Sequence, residues 1–398
     1  MSENQASGVA VVAGAPLGIG NPDAPPAPPA PLPEPVGAAS HAQALGRIAG
    51  LHPGWFASVM GTAIVAVATY ANPGRIEALR PVAEGVGHAV AVLAYLLGVV
   101  MTLAYGIRWV RYRPTARAEL RDPMLGPLHA TLPGGFLVLA VMTASVGRAF
   151  LTDGVVTAVV ASLAIIGTVL ALVIGVVFTY ELFVGERPAP ATNGGWFIPP
   201  VVTVIIPMTL PALMGHVSES AARALLVVGY ATYGMGMLLF LLTFTLLYGR
   251  LVMHALPPAP LAPTLWIVLG PIGVGAAALI TLASVSAPFV GEAAGAVAAI
   301  ALMGASALWG FGLFWIAVAT ALLVRYLRTG GVPFHLGWWA FTFPLGAYTV
   351  ATITLARAWQ STALEVVGAV LYLGLVTFWV NVTWRTLAAT RTGAIWRR

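Results

Sequence analysis

The chain has 398 residues, 59% of them hydrophobic and 8% charged, with a mean hydropathy of +0.91; no water-soluble core of this size requires such a composition, so the chain reads as integral to a membrane. Cysteine and lysine are both absent, all nineteen basic residues being arginine, which excludes disulfides, thiolate metal sites, iron-sulfur clusters, a P-loop lysine and Schiff-base chemistry. The formal net charge of +6 belongs to membrane topology, as its distribution shows, and not to nucleic-acid affinity.

Residues 1–46 are rich in Pro, Ala and Gly, and the run from Ala24 to Pro31 favours extended polyproline geometry without a core. The segment reads as a disordered cytoplasmic tail, with a PxxP ligand as the lesser reading. It lacks the basic start, short apolar region and small-residue cleavage site of a signal peptide.

Ten apolar spans follow, at roughly 55–71, 84–107, 128–147, 155–183, 195–214, 220–249, 263–285, 292–326, 336–357 and 362–388. They fill a transmembrane domain over 47–390, with a basic cytoplasmic tail at 391–398. The fourth, sixth, eighth and tenth spans are longer than the odd-numbered ones, which implies tilt or protrusion. Both ends of the chain are placed in the cytoplasm of a multi-pass plasma-membrane protein, because fourteen arginines then fall inside and only Arg75, Arg80, Arg148, Arg223 and Arg357 outside. The inner cluster at 108–121 reads as an orientation signal on a loop, or as a lipid-binding patch.

Aromatic residues recur where odd spans begin: Gly54-Trp55-Phe56, Gly134-Gly135-Phe136, Gly195-Trp196-Phe197, Trp266 and Gly337-Trp338-Trp339. Steps of 80, 61, 69 and 73 residues between Phe56, Phe136, Phe197, Trp266 and Trp339 fit one helical hairpin per repeat. Five hairpins of one polarity can form a ring, with short odd helices inside and long even helices against lipid. An interfacial aromatic belt accounts for any single copy equally well.

Proline marks the odd spans at Pro133, Pro199, Pro200, Pro207, Pro211, Pro271 and Pro344. Pro271 and Pro344 each lie five residues after an aligned tryptophan and read as equivalent bends. The first span has no proline, only Gly61. In the ninth span, Phe343, Ala347, Val350 and Thr354 share one helical face, a slim stripe with a single ring. Such a stripe suits a helix contact or the lining of a narrow pore.

Ionisable residues within spans are few, and each is a functional candidate. His88 reads as a hydrogen-bonded packing residue or a proton relay. His129, His216, His254 and His335 lie at span ends, as solvated residues do. Arg148 and Arg357 at outer span ends suit interfacial capping or an anion vestibule. The acid pairs and HExxH pattern of a membrane enzyme are missing from the sequence, so an enzyme of lipid metabolism and a non-transporting receptor or scaffold stand as the alternatives to transport.

The first span, His52-Pro53-Gly54-Trp55-Phe56-Ala57-Ser58-Val59-Met60-Gly61-Thr62-Ala63-Ile64, resembles the opening W-F-x-x-x-M-G-T-x-I of the tellurite-resistance/dicarboxylate transporter family. The ninth, Trp338-Trp339-Ala340-Phe341-Thr342-Phe343-Pro344, is similar to the W-W-A-[FY]-[ST]-F-P segment of that family and of the related plant slow anion channels. The resemblance implies a quasi-five-fold ring of five hairpins around a central pore, a homotrimer with one pore per subunit, no cofactor, and an anion as cargo: a C4-dicarboxylate such as malate, sulfite, tellurite, chloride or nitrate. It also implies a phenylalanine plug, at the position of Phe343. Phe56, Met60, Gly61, Phe136, Pro207, Pro271, Pro344 and Ala347 are then the expected lining or hinge residues. The Met-Gly-Thr form of the first span ranks malate and sulfite first, whereas the lack of a cation at mid-membrane favours small monovalent or protonated substrates.

Overall fold

The computed structural model describes residues 46–185 and 191–396, among which the chain forms helices and no strand. All but residue 46 of the segment read as a tail lies outside the described residues, as do Arg187, Arg397 and Arg398. The α-helical parts of the first to tenth spans are Phe56–Tyr70, Arg80–Arg111, Thr131–Ser145, Asp153–Val184, Ile198–Ile205, Glu219–Met253, Leu269–Val290, Ala294–Arg328, Thr342–Ala358 and Thr362–Arg391. The seventh and eighth spans share a single 70-residue apolar run, Ala259–Arg328, broken at Gly291, whose φ of 56° suits a residue without a Cβ. A further short helix, Arg113–Leu120, stands where the sequence suggested a loop.

The alternation of length is sharp. Even spans carry 30 to 35 helical residues, more than the ~20 needed to cross a bilayer, and the second span belongs with them. Odd spans carry 8 to 22. The apolar stretches of the first, third, fifth and ninth spans are 67% to 89% buried, against 17% to 28% for the second, fourth, sixth and tenth. Large apolar side chains such as Ile165, Val176, Leu238, Ile300 and Leu373 point outward from the long spans, as hydrocarbon solvent allows. Each odd span packs on the even span that follows it. Contacts among the odd spans run first to third, third to fifth, fifth to seventh, seventh to ninth and ninth back to first.

Every odd span opens with a 3₁₀ segment: Pro53–Trp55, Gly126–Ala130, Gly194–Phe197, Ala259–Val268 and Leu336–Phe341. Three of these share one cap. The side chains of His52, Asn193 and His335 accept a hydrogen bond from the backbone N–H two residues on, at Gly54 (3.1 Å), Gly195 (2.8 Å) and Gly337 (3.0 Å), satisfying a donor the helix leaves free. A Cβ on Gly54 would sit 3.0 Å from His52 Nδ1, and one on Gly195 would sit 2.8 Å from Asn193 Oδ1. The Gly-Trp openings at these spans are thus the footprint of a cap. The Gly134-Gly135-Phe136 copy is not one, because it lies inside the helix Thr131–Ser145.

A more regular repeat underlies the spans. The third residue of the α-helical part is Pro133, Pro200, Pro271 and Pro344 in the third, fifth, seventh and ninth spans, and Ser58 in the first. An amide there has no α-helical acceptor, so proline costs no hydrogen bond. Pro271 and Pro344 are therefore equivalent, as expected, but they mark the passage from 3₁₀ to α-helix and not a mid-helix bend. Pro207 stands where the fifth span returns to 3₁₀ geometry, in Ile206–Ala212.

Hydroxyls of odd spans tie to aromatic side chains of even ones: Trp379 Nε1 to Thr62 (3.2 Å), Trp309 Nε1 to Thr352 (2.9 Å), and Tyr95 with Thr143 (2.6 Å). Between odd spans the contacts are backbone-close. A Cβ on Gly273 would meet Tyr348 N at 2.5 Å and Ala347 C at 2.6 Å. Since backbone cannot rotate away, Gly273→Ala is expected to cost about 1–3 kcal/mol, read as a lower unfolding temperature in detergent. Gly295→Ala, where nothing lies within 4 Å, serves as the unaffected control.

Candidate functional site

Five odd spans converge on one axis, along which the structure holds three cavities. The first, of about 80 Å³, lies at the face where the odd spans begin. It draws residues from all five: His52 and Met60, Leu128 and Thr131, Ile198 and Val201, Thr264 and Ile267, and Gly337, Phe343 and Pro344. The second, of about 40 Å³, is lined only by apolar side chains: Ile64 and Val67, Val138 and Val141, Ile205 and Met208, Val274 and Ala277, and Phe343, Ala347 and Val350. Phe343 borders both. Its ring, 5% exposed, stands between the two spaces. Val67 in turn borders the second cavity and a third, of about 440 Å³, whose wall includes Tyr70, Asn72, Arg75, Arg80, Glu84, Ser145 and Arg357.

Among the described residues, no carboxylate or guanidinium lines either inner cavity. The hydroxyl protons of Thr131 and Thr264 are spent on the carbonyls of Pro53 (2.9 Å) and Leu261 (2.7 Å). What faces the first cavity is the set of N-terminal turns, whose amides carry partial positive charge. Beside that mouth, His335 accepts from Gly337 at Nδ1, so its proton is on Nε2, donated to the Pro260 carbonyl at 2.7 Å. Burial lowers its pKa below the usual value, against the raising effect of that carbonyl, so the imidazole is neutral at neutral pH.

The expected site residues do not all line the cavities. Phe343, Met60, Pro344 and Ala347 line the axis. Phe56 and Phe136 pack edge-to-face on each other at 6.0 Å and line neither inner cavity. Gly61 is a point of close approach, since a Cβ there would strike Thr342 and Trp339; Pro271 and Pro207 are buried behind the lining. Arg357 borders the third cavity, whereas Arg148 is exposed in the turn Gly147–Ala149 and does not line it. Within the expected stripe, Phe343, Ala347 and Val350 face the axis, and Thr354 turns its hydroxyl to the Val350 carbonyl at 2.9 Å.

Two expectations need correcting. His129 is not solvated: it is 1% exposed and its Nδ1 meets Tyr105 Oη at 2.5 Å. Arg108 is fully buried and bonded to Glu119 at 2.7 Å, so the cluster at 108–121 is partly internal, its short helix turning Glu119 inward. His88 packs as expected between Tyr70 and Phe150, but its Nε2 finds no hydrogen-bond partner. The sequence reading missed the i, i+3 apolar pairs that line the second cavity from every odd span, and Arg75 and Arg80 in the third.

Comparison with known proteins gives a consistent picture. The profile of the voltage-dependent anion channel family matches residues 50–387. An uncharacterized transporter of Methanocaldococcus jannaschii is 28% identical over 346 residues, covering 87% of this chain and 95% of its own. Sulfite efflux pumps of Arthroderma otae and Trichophyton rubrum are 26% and 27% identical, covering 84% and 88% of this chain and 89% and 93% of theirs.

Proposed function

The chain belongs to the voltage-dependent anion channel family, and we propose that it passes a small, singly charged anion along the axis of its odd spans, with the Phe343 ring as gate. The observation that carries this reading is the position of that ring between two cavities to which all five odd spans contribute. The five hairpins are read as a quasi-five-fold ring, the axis as its pore, and the assembly as a homotrimer with one pore per subunit. The face where odd spans begin is taken as cytoplasmic in the plasma membrane, from the arginine bias. Selection is by field: converging helix N-termini and inner arginines favour anions, with no bound cation to hold them.

An apolar second cavity bears on the substrate. The penalty for taking an ion out of water grows as the square of its charge, and nothing there offsets it. Sulfite in its singly protonated form, chloride and nitrate are therefore favoured over the malate dianion, and sulfite agrees with the names of the two fungal relatives. Reconstituted into liposomes and tested in parallel, sulfite, chloride and nitrate are expected to move about tenfold or more faster than malate near neutral pH. Malate flux equal to theirs would overturn the substrate assignment, and no flux of any of the four would overturn transport itself.

A further inference from the structure

At the far end of the axis, the wall of the third cavity contains two guanidinium groups that share one carboxylate. Arg75 Nε and Arg357 Nε lie 3.8 and 3.9 Å from the same oxygen, Glu365 Oε1. Glu365, in the first turn of the tenth span, is 6% exposed, and neither of its oxygens has a hydrogen-bond partner. The carboxylate is therefore close enough to set the potential at both arginines but locked to neither.

The two arginines are held by other means. Arg357 ends the ninth span and donates through Nη2 to the Ala71 carbonyl, beyond the end of the first span. Arg75 sits at a φ of 51°, unusual for a residue with a side chain, in a turn closed by its own N–H to Asn72 O at 3.1 Å and by Asn72 Nδ2 to Ile76 O at 3.2 Å. Such strained backbone persists where surrounding bonds over-determine it, and here it puts Arg75 on the cavity wall. Arg80, on the same wall, is taken up by Glu77, with two bonds of 3.0 Å, and Glu84 stands on the second span. Arg75 and Arg357 share the one carboxylate of Glu365, so the pair is a local positive spot next to Val67 and the apolar second cavity, while Glu84 on the same wall offsets it across the cavity as a whole.

We propose that Arg75 and Arg357 form an outer binding site for a small inorganic anion, in which Glu365 is a fixed counter-charge that keeps binding weak. The proposal rests on reading the axis as the anion path. Flux requires a site attractive enough to be visited and weak enough to be left; two arginines alone would hold an anion, and the shared carboxylate lowers that hold. Arg75 and Arg357 capture, and Glu365 releases.

The test uses the full chain in planar bilayers, with chloride varied on one side at a time. Arg357→Gln and Arg75→Gln are each expected to raise the half-saturating chloride concentration on the outer side by about threefold or more, and Glu365→Gln to lower it by a similar factor while slowing the maximal rate. The inner half-saturating concentration stays unchanged in all three, and Arg357→Lys recovers part of the loss. Arg75 is the variant least exposed to folding defects, its side chain being 61% exposed. Outer saturation equal to that of the unaltered chain in the two arginine variants, or equal shifts on both sides, overturns the site. An unaltered chain that carries no chloride at all counts instead against the proposed function.

Discussion

Phe343→Ala is expected to raise anion flux by about tenfold or more, because it removes the one side chain that, among the described residues, borders both inner cavities. The space opposite is already prepared: a Cβ on Gly270 of the seventh span would lie 3.9 Å from Phe343 Cε1, an ordinary contact that leaves the ring its present place and little more. One turn on, Ala347 presents only a methyl group to the second cavity. Truncation therefore joins two small cavities, of about 80 and 40 Å³, into a single wider one that water can follow.

Two neighbours separate gating from mere packing. Phe341, two residues earlier, is stacked on Phe378 at 4.8 Å and meets Trp266 edge-on at 5.6 Å, away from the axis. Phe341→Ala should lower stability, at about 3–5 kcal/mol for a buried ring, without raising flux. Phe343→Leu keeps apolar bulk in the path and should stay close to the unaltered rate. Unchanged flux in a normally folded Phe343→Ala protein, measured by efflux from liposomes, would sink the gate assignment.

Much of this architecture was legible in the chain because the bilayer leaves so few options for backbone hydrogen bonds. Apolar runs gave ten spans within a few residues, and span lengths already set the fourth, sixth, eighth and tenth apart, though not the second. The stripe of Phe343, Ala347 and Val350 could be read from helical spacing alone. The repeat was legible only in part. Aromatic openings mix two causes, a side-chain cap at His52, Asn193 and His335 and ordinary interior rings such as Phe136, so alignment on them slipped at the third span. The prolines, fixed by the missing acceptor at the third helical residue, keep better register at 133, 200, 271 and 344. Charge was harder to read. Arg108 and Arg111 look alike in sequence, yet one is buried and the other exposed, because only the short helix Arg113–Leu120 decides that Glu119 turns inward. The same holds for Glu365, whose two arginines come from positions 75 and 357.

The buried pair Arg108–Glu119 should dominate stability at the face where the odd spans begin. Arg108 is fully enclosed: Nη2 meets Glu119 Oε2 at 2.7 Å, Nε donates to the Ala49 carbonyl at 3.2 Å, and the guanidinium lies 5.9 Å from the Tyr105 ring centroid. Glu119 Oε2 is in turn 4.0 Å from His129 Nε2. Removing one partner leaves the other charge in a site that cannot hydrate it, so Arg108→Met is expected to cost about 3–5 kcal/mol. The double change Arg108→Met, Glu119→Leu should recover most of that loss, since a well-packed apolar pair replaces a desolvated ionic one at little net cost. Arg111→Gln, at an exposed guanidinium on the same turn of chain, should stay within about 0.5 kcal/mol. Unfolding in detergent, followed for the two single variants and the double, decides the matter. A double variant as unstable as Arg108→Met alone would mean that Arg108 supports the fold through its bond to the Ala49 carbonyl, and not through neutralising Glu119.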